Sequence, residues 1–323
     1  MNFSVSFVVP VYNTDIEKFK KCIMSIKDIN IKDFEIIVID DGSNSEKSNQ
    51  YKKILKNIKN SIYIKNDNHG VSFSRNCGID ISTKDYIMFI DSDDYIISGL
   101  FNNKIIVKNY DIVIFDLVNV NNGRLYNYSF EEGKIDWIDL MEQHLTMNNF
   151  STPCARLYKR FFLINNNLKF KTCYVQGEDA YFNLECLTYK PLIFYYKKQI
   201  YCYNYSSFST VNRWKNNFEK SMKIKYDFYL KEMDCLKKFN FKNKDAILSQ
   251  INNSFIKSYM HSYLILLKLN DKEKIKIFSK SLKKYNINLK KLKFKQKIYY
   301  IIIKKNYFFI RLLLKIIIHL KKI

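Results

Sequence analysis

Acidic side chains recur directly after apolar runs in this sequence, and that placement could do chemistry. Asp40 and Asp41 follow the run from Phe34 to Ile39 and precede Gly42 and Ser43; Asp91, Asp93 and Asp94 follow Tyr86 to Ile90; Glu178 and Asp179 follow Gly177. Uncompensated carboxylates gathered in one place repel one another, and they persist where a cation or a hydrogen-bonding ligand shares the site. The spacing of Asp91 and Asp93 suits a hard divalent cation, Mg²⁺ or Mn²⁺, whose remaining coordination positions a diphosphate can fill. In an isolated surface loop an Asp-x-Asp pair reads as turn chemistry or a helix N-cap. Its position after one buried run, matched by acids after an earlier one, favours a ligand site.

These acids need elements to hold them. Val5 to Val9 predicts a first strand. Ile16, Phe19, Ile23 and Ile26 then recur at helical spacing, and Phe34 to Ile39 has the continuous apolar character of a strand covered on both faces. A helix over 45–58, a strand over 61–64, a helix starting near Val71, and strands over 86–90 and 111–115 complete the alternation expected of a parallel sheet covered by helices. Ligands of such sheets bind beyond the carboxyl ends of the strands, so the first two acidic clusters should face one crevice, where an aspartate can accept hydrogen bonds from a base or ribose. From Arg124 to Tyr205 the pattern predicts α+β, with helices over 135–145 and 178–187 and strands over 192–196 and 200–205. Between the two clusters, Gly70 permits a tight turn into a helix that Ser72 or Ser74 could cap. Arg75 falls in its first turns, placed to counter phosphate or carboxylate charge, and His69 reads as a loop residue.

Composition bounds the rest. With 47% hydrophobic and 16% aromatic residues in 323, the chain can bury a large core and is not a disordered sequence. The net charge is +23, but 29 of the 54 Lys and Arg and only 7 of the 31 Asp and Glu lie from Arg213 onward. An anionic partner chosen by charge therefore meets the last third. Nucleic acid is disfavoured, because no recognition signature accompanies the charge. The seven cysteines are scattered without a Cys-x-x-Cys pair, as in a reduced compartment. The chain opens on a strand-like run, Phe3 to Val9, without the charged segment and cleavage site of a signal peptide, so the cytoplasm is expected.

Taken in order, Val9-Pro10-Val11-Tyr12-Asn13, Val38-Ile39-Asp40-Asp41-Gly42-Ser43, Gly70 with Ser74-Arg75-Asn76 and Gly78, Phe89-Ile90-Asp91-Ser92-Asp93-Asp94 and Gly177-Glu178-Asp179 resemble the family 2 glycosyltransferases of bacterial capsule, exopolysaccharide and lipopolysaccharide biosynthesis. The resemblance spans about residues 1–205. It implies the α/β GT-A fold, a Rossmann-like mixed sheet, over residues 1–212, with 1–100 binding the nucleotide-sugar and 101–212 facing the acceptor. Residues 213–323 would form a helical, basic extension. The implied donor site is Pro10 and Tyr12 against the nucleotide, Asp41 at the uracil, Arg75, Asp91 at the ribose and diphosphate, and Ser92. Asp93 would bind the metal, Mn²⁺ or Mg²⁺, and Asp179 would be the general base. Glu178 and Arg156, the latter within a Thr152–Arg160 segment similar to an acceptor-side element of the family, would lie on the acceptor side. An inverting transfer needs that base to take a proton from the attacking hydroxyl and a cation to stabilise the departing diphosphate. The distant acids should then converge around one bound ion. After the base, Tyr201 to Ser209 carries Asn204 where the family often has a cation, a place that Arg213 could fill.

The activity implied is transfer of a hexose or N-acetylhexosamine from a UDP-sugar to a lipid-linked or growing surface glycan. The rivals are a nucleotidyltransferase, which would need a Gly-rich triphosphate loop absent from 10–15, and a non-catalytic scaffold. From Lys295 to Ile323 the sequence reads as a basic, apolar helix, with Lys304, Arg311, Lys315, His319 and Lys322 on one face. It suits either an anionic membrane surface on the inner face of the cell membrane or packing on the catalytic domain.

Overall fold

Strand β1 (Ser4–Val11) is buried at all eight positions, and this is why its apolar residues run continuously instead of alternating. In the computed structural model, which describes residues 3–97, 109–146, 151–174, 176–204, 218–269, 272–283 and 292–305, β1 pairs in parallel with β2 (Asp33–Asp41) and β4 (Tyr86–Phe89), and β2 with β3 (Ser61–Asn66). The crossovers are α1 (Ile16–Lys27), α2 (Ser45–Leu55) and α3 (Val71–Ile81). Asp15 caps α1 through the amides of Glu17 and Lys18, and the α1 residues foreseen to face inward, Phe19, Ile23 and Ile26, are buried. Helix α3 packs unusually close to β1: a Cβ on Gly78 would lie 2.2 Å from Cγ1 of Val8.

The chain divides into two compact units, Met1–Ile224 and Lys225–Ile323. The first continues through β5 (Tyr95–Ile96), β6 (Ile112–Asn119), β7 (Leu125–Tyr126), β8 (Gly133–Ile135), α4 (Trp137–Thr146), β9 (Arg156–Lys159), α5 (Arg160–Asn165), α6 (Glu178–Thr188) and β10 (Ile193–Tyr203). Its sheet has the order β3-β2-β1-β4-β9-β6-β10-β5, with β7 on β6 and β8 on β10. Antiparallel β9, wedged between β4 and β6, makes the sheet mixed. The two strands expected over 192–196 and 200–205 are one strand, β10. Register shifts against β6 at Tyr196/Gln199 and Gln199/Tyr201 absorb the polar residues that suggested a break.

The second unit is helical, built from most of α7 (Phe218–Lys238) with α8 (Lys244–Leu269), α9 (Lys272–Lys283) and α10 (Phe294–Lys305). Its core is an aromatic ladder: Tyr229 to Phe255 at 4.5 Å, Phe255 to Tyr259 at 4.7 Å and Tyr259 to Phe278 at 5.0 Å between ring centroids. Among the described residues no helix is long and apolar enough to cross a membrane. The tail from 306 onward, Arg213 and the Tyr205–Ser209 stretch lie outside the described residues.

Candidate active site

The loops after β1, β2 and β4 are stitched into one crevice. Asn13, held at φ +50°, donates its amide to Ser43 Oγ at 2.9 Å and accepts the Asn44 amide on Oδ1 at 3.1 Å. The hydroxyls of Thr14 and Ser92 meet at 2.6 Å, joining the first loop to the Asp91–Asp94 turn. Pro10 is buried in β1 beside Ile39, whereas the Tyr12 ring is 51% exposed at the rim.

At the end of β2 two adjacent aspartates do different work, because neighbours on a strand point to opposite faces. Asp40 is fully buried and accepts hydrogen bonds from the Ser43 amide (2.8 Å) and from the hydroxyls of Ser48 (2.6 Å) and Tyr63. Burial pushes its carboxyl up, but those donors outweigh it and hold it below the ordinary value. It is a fastener for the turn into α2. Asp41 accepts the backbone amides of His69 at 2.9 Å and Gly70 at 2.8 Å, one on each oxygen. This fixes the turn into α3, where Gly70 adopts φ +94°. The capping foreseen for Ser72 or Ser74 is not found among the described residues: α3 has no side-chain cap there, Ser74 Oγ donates back to the Gly70 carbonyl at 3.5 Å, and Ser72 Oγ is buried with no partner among them. Asp41 orders this turn in their place.

Arg75 is the centre of the site. It is 3% exposed, lies over the Phe170 ring at 5.2 Å, and donates from Nη2 to Asp91 at 2.8 Å and from Nη1 to Asp179 at 2.5 Å. Burial disfavours its cation, but Asp179 and Asp91 more than compensate, so the guanidinium stays charged. Among the described residues, then, the cation between the distant acids at β4 and α6 is a guanidinium, and no three His, Cys, Asp or Glu side chains group to hold a metal ion. Asp41, tied to its turn, is not one of a ring of ligands.

The remaining acids are tuned by burial. Asp179, at the start of α6, is pushed up to about 7 by burial, with Glu178 and Asp91 adding to the effect and Arg75 opposing it. Asp94 is pushed up to about 8, by burial first and then by Asp91, although it accepts the Tyr201 hydroxyl at 2.6 Å and the Asn204 amide at 2.7 Å. The same hydroxyl accepts the Asp91 amide at 3.1 Å, so β10 clamps the turn that carries Asp93. Asp93 is partly buried, with no ion pair among the described residues, and burial together with Asp91 raises its carboxyl.

Arg156, expected on the acceptor side, is enclosed within the fold. It is 3% exposed and donates to Asn183 Oδ1 at 3.0 Å and to the Tyr128 hydroxyl at 2.6 Å. Asn183, which sequence reasoning passed over, also accepts the Tyr158 hydroxyl at 2.6 Å and donates to the Ser151 carbonyl at 2.7 Å. Its position one turn after Asp179 on α6 was the available signal. His144 Nε2, 3.1 Å from the Ala180 carbonyl, joins α4 to the same helix. Burial lowers the His144 pKa to about 4, so its ring is neutral there. Glu178 is partly buried beside Asp179.

Residues 6–167 match the model of glycosyl transferase family 2. Glycosyltransferase GlyA of Streptococcus pneumoniae is 29% identical over 65% of this chain and 32% of its own length. The poly(ribitol-phosphate) β-N-acetylglucosaminyltransferase TarP of Staphylococcus aureus is 29% identical over 57% of each chain. The chain thus spans less than two thirds of the length of these relatives. Residues 1–349 of S. aureus TarS, crystallised with UDP-GlcNAc, superpose with a TM-score of 0.68 over 95% of this chain and 91% of that one, at 18% identity. That likeness concerns the fold, and it matches the GT-A-like mixed sheet with a helical C-terminal part expected from sequence. On the family model, which covers half of its length, this chain belongs to glycosyl transferase family 2.

Proposed function

We propose that the chain is an inverting glycosyltransferase that moves a hexose or N-acetylhexosamine from a UDP-sugar to a lipid-linked or growing surface glycan. The observation that carries this reading is the bridge by which Arg75 holds Asp91 and Asp179 at one crevice. The crystallised UDP-GlcNAc complex of TarS supports a UDP-linked donor, and the activity in TarP's name supports an N-acetylhexosamine as the sugar moved.

In this reading the exposed Tyr12 ring offers the nucleobase a face, and Asp41 keeps the adjoining turn rigid while it presents its carboxylate edge to the uracil. Asp91 and Ser92 line the ribose and diphosphate. A divalent ion fits only in part: Asp93 supplies one hard carboxylate oxygen, and the remaining ligands must come from the diphosphate and water. When bound, that ion stabilises charge on the departing phosphate. The acceptor hydroxyl gives its proton to Asp179 as its oxygen attacks the anomeric carbon; the bond from that carbon to the diphosphate oxygen breaks, and UDP departs. Arg75 engages Oδ1 of Asp179 and leaves Oδ2 to take the proton. The raised Asp179 carboxyl is a stronger base than a free one.

The test is Asp179→Asn, assayed by UDP release with a panel of UDP-sugars and lipid-linked acceptors. Removing a general base should lower kcat by about 10²–10⁴ while UDP binding changes less than a few-fold. Turnover close to wild type would reject the assignment.

A further inference from the structure

Helix α10 is anchored along one face within the second unit. Leu292 before it is buried, the Lys293 amide donates to Asn253 Oδ1 at 2.9 Å, and Tyr300 and Ile303 are buried. The opposite face is left outward. Phe294 is 79% exposed, Ile298 40% and Ile301 51%, and their spacing of four and then three residues lays them in one stripe. Lys295 flanks the stripe on one side and Lys297 on the other, both exposed, and exposed Lys305 closes it. No Asp or Glu follows Glu273 in the sequence.

Large apolar side chains aligned in water mark a surface that another body covers. Charge decides which. A second copy of this helix would set lysine rows against lysine rows with no acid between them, and a nucleic acid would leave the stripe without an apolar cover. A bilayer carrying anionic lipid supplies both halves, acyl chains for the stripe and phosphates for its margins. Buried Tyr300 and Ile303 tie the opposite face to the rest of the unit, so the stripe meets a bilayer side-on, in the plane of the interface.

We propose that the outward face of α10 docks on an anionic membrane surface, with Phe294, Ile298 and Ile301 inserted below the headgroups and Lys295, Lys297 and Lys305 at their phosphates. The proposal stands on this face and not on the transferase reading.

Flotation of the full chain with vesicles of phosphatidylcholine, alone or with one third phosphatidylglycerol, tests it. The wild type should float with the anionic vesicles only. F294S/I298S/I301S should bind them at least tenfold more weakly, and K295E/K297E should abolish flotation. F294W, which alters only an exposed position, should add to the emission of the two native tryptophans a blue-shifted component quenched by brominated lipid. Failure of the wild type to float overturns the proposal, as does triple-variant binding within twofold of wild type, which would put adhesion elsewhere in the chain. An unquenched F294W also overturns it. So does self-association that the triple variant loses without any vesicle binding, since a second copy would then be the cover.

Discussion

Replacing Arg75 with Gln removes one guanidinium that two carboxylates share. Breaking a buried ion pair costs about 3–5 kcal/mol. The side chains of Asp91 and Asp179 are 33% and 28% exposed, so water screens part of that loss and about 2–3 kcal/mol of stability is expected to go. The second effect falls on the base. Burial already raises the Asp179 carboxyl to about 7, and Arg75 is the group that restrains the rise. At a separation of about 4 Å and an effective dielectric near 20 the attraction is about 4 kcal/mol, and halving it for partial exposure leaves about 2 kcal/mol, or roughly 1.5 pH units. In the wild type kcat/KM should rise with pH through about 7, as Asp179 loses its proton. In R75Q the rise should move upward by about 1–2 units, so that activity at neutral pH falls roughly 5- to 50-fold and is partly recovered at pH 9. UDP release across pH 5–9 gives the profile, and calorimetric UDP binding separates a donor defect from a base defect. A folded R75Q enzyme with unchanged UDP affinity and an unmoved acid limb would refute the assignment of Arg75 as the group that sets Asp179.

Three further outcomes follow from packing and burial. Gly78→Ala gains helix propensity worth up to about 1 kcal/mol, but its Cβ would meet Val8 at 2.2 Å. Overpacking should win by about 1–3 kcal/mol in urea unfolding, and a stabilised variant would contradict the close α3–β1 contact. Tyr201→Phe deletes the hydroxyl shared by Asp94 and the Asp91 amide. About 1–3 kcal/mol of stability and roughly tenfold in kcat should be lost, with more divalent ion needed for half-maximal rate; unchanged metal dependence would argue against the clamp. Glu232, 7% exposed, has its carboxyl raised to about 8 by burial. The folded state therefore binds more protons than the unfolded one between pH ~4.5 and 8, and stability falls as pH rises through that window. Glu232→Gln should flatten this slope and be the more stable by a few kcal/mol at pH 8.5, yet nearly equal to wild type at pH 4.5. Parallel pH–stability curves would rule out a buried, proton-holding Glu232.

Strand ends were legible because parallel strands buried on both faces read as unbroken apolar runs, and the acids that follow such a run fall in the loops beyond the sheet. The Asp91–Asp94 turn was visible for that reason, and the Gly177-Glu178-Asp179 start of α6 through its place in the ordered set of family motifs. Long-range pairing was not. Nothing local distinguishes Asp40, enclosed by Ser48 and Tyr63, from Asp41, hydrogen-bonded to the turn before α3. The enclosure of Arg156 was not legible because its partners, Tyr128 and Asn183, come from other elements. The bulges of β10 hid one strand behind Lys197, Lys198 and Gln199. Arg75 was read as a counter-charge, but its two simultaneous carboxylate partners depend on the fold bringing α6 beside β4.

The central claim is that donor and base meet at this crevice, and a crystal structure with Mn²⁺ and an unreactive UDP-sugar analogue addresses it most directly. Anomalous scattering should place the ion between Asp93 and the diphosphate, with the anomeric carbon turned toward Asp179 and Arg75 within reach of both. An ion or nucleotide bound away from Asp93, or a sugar facing a surface without Asp179, would contradict the account.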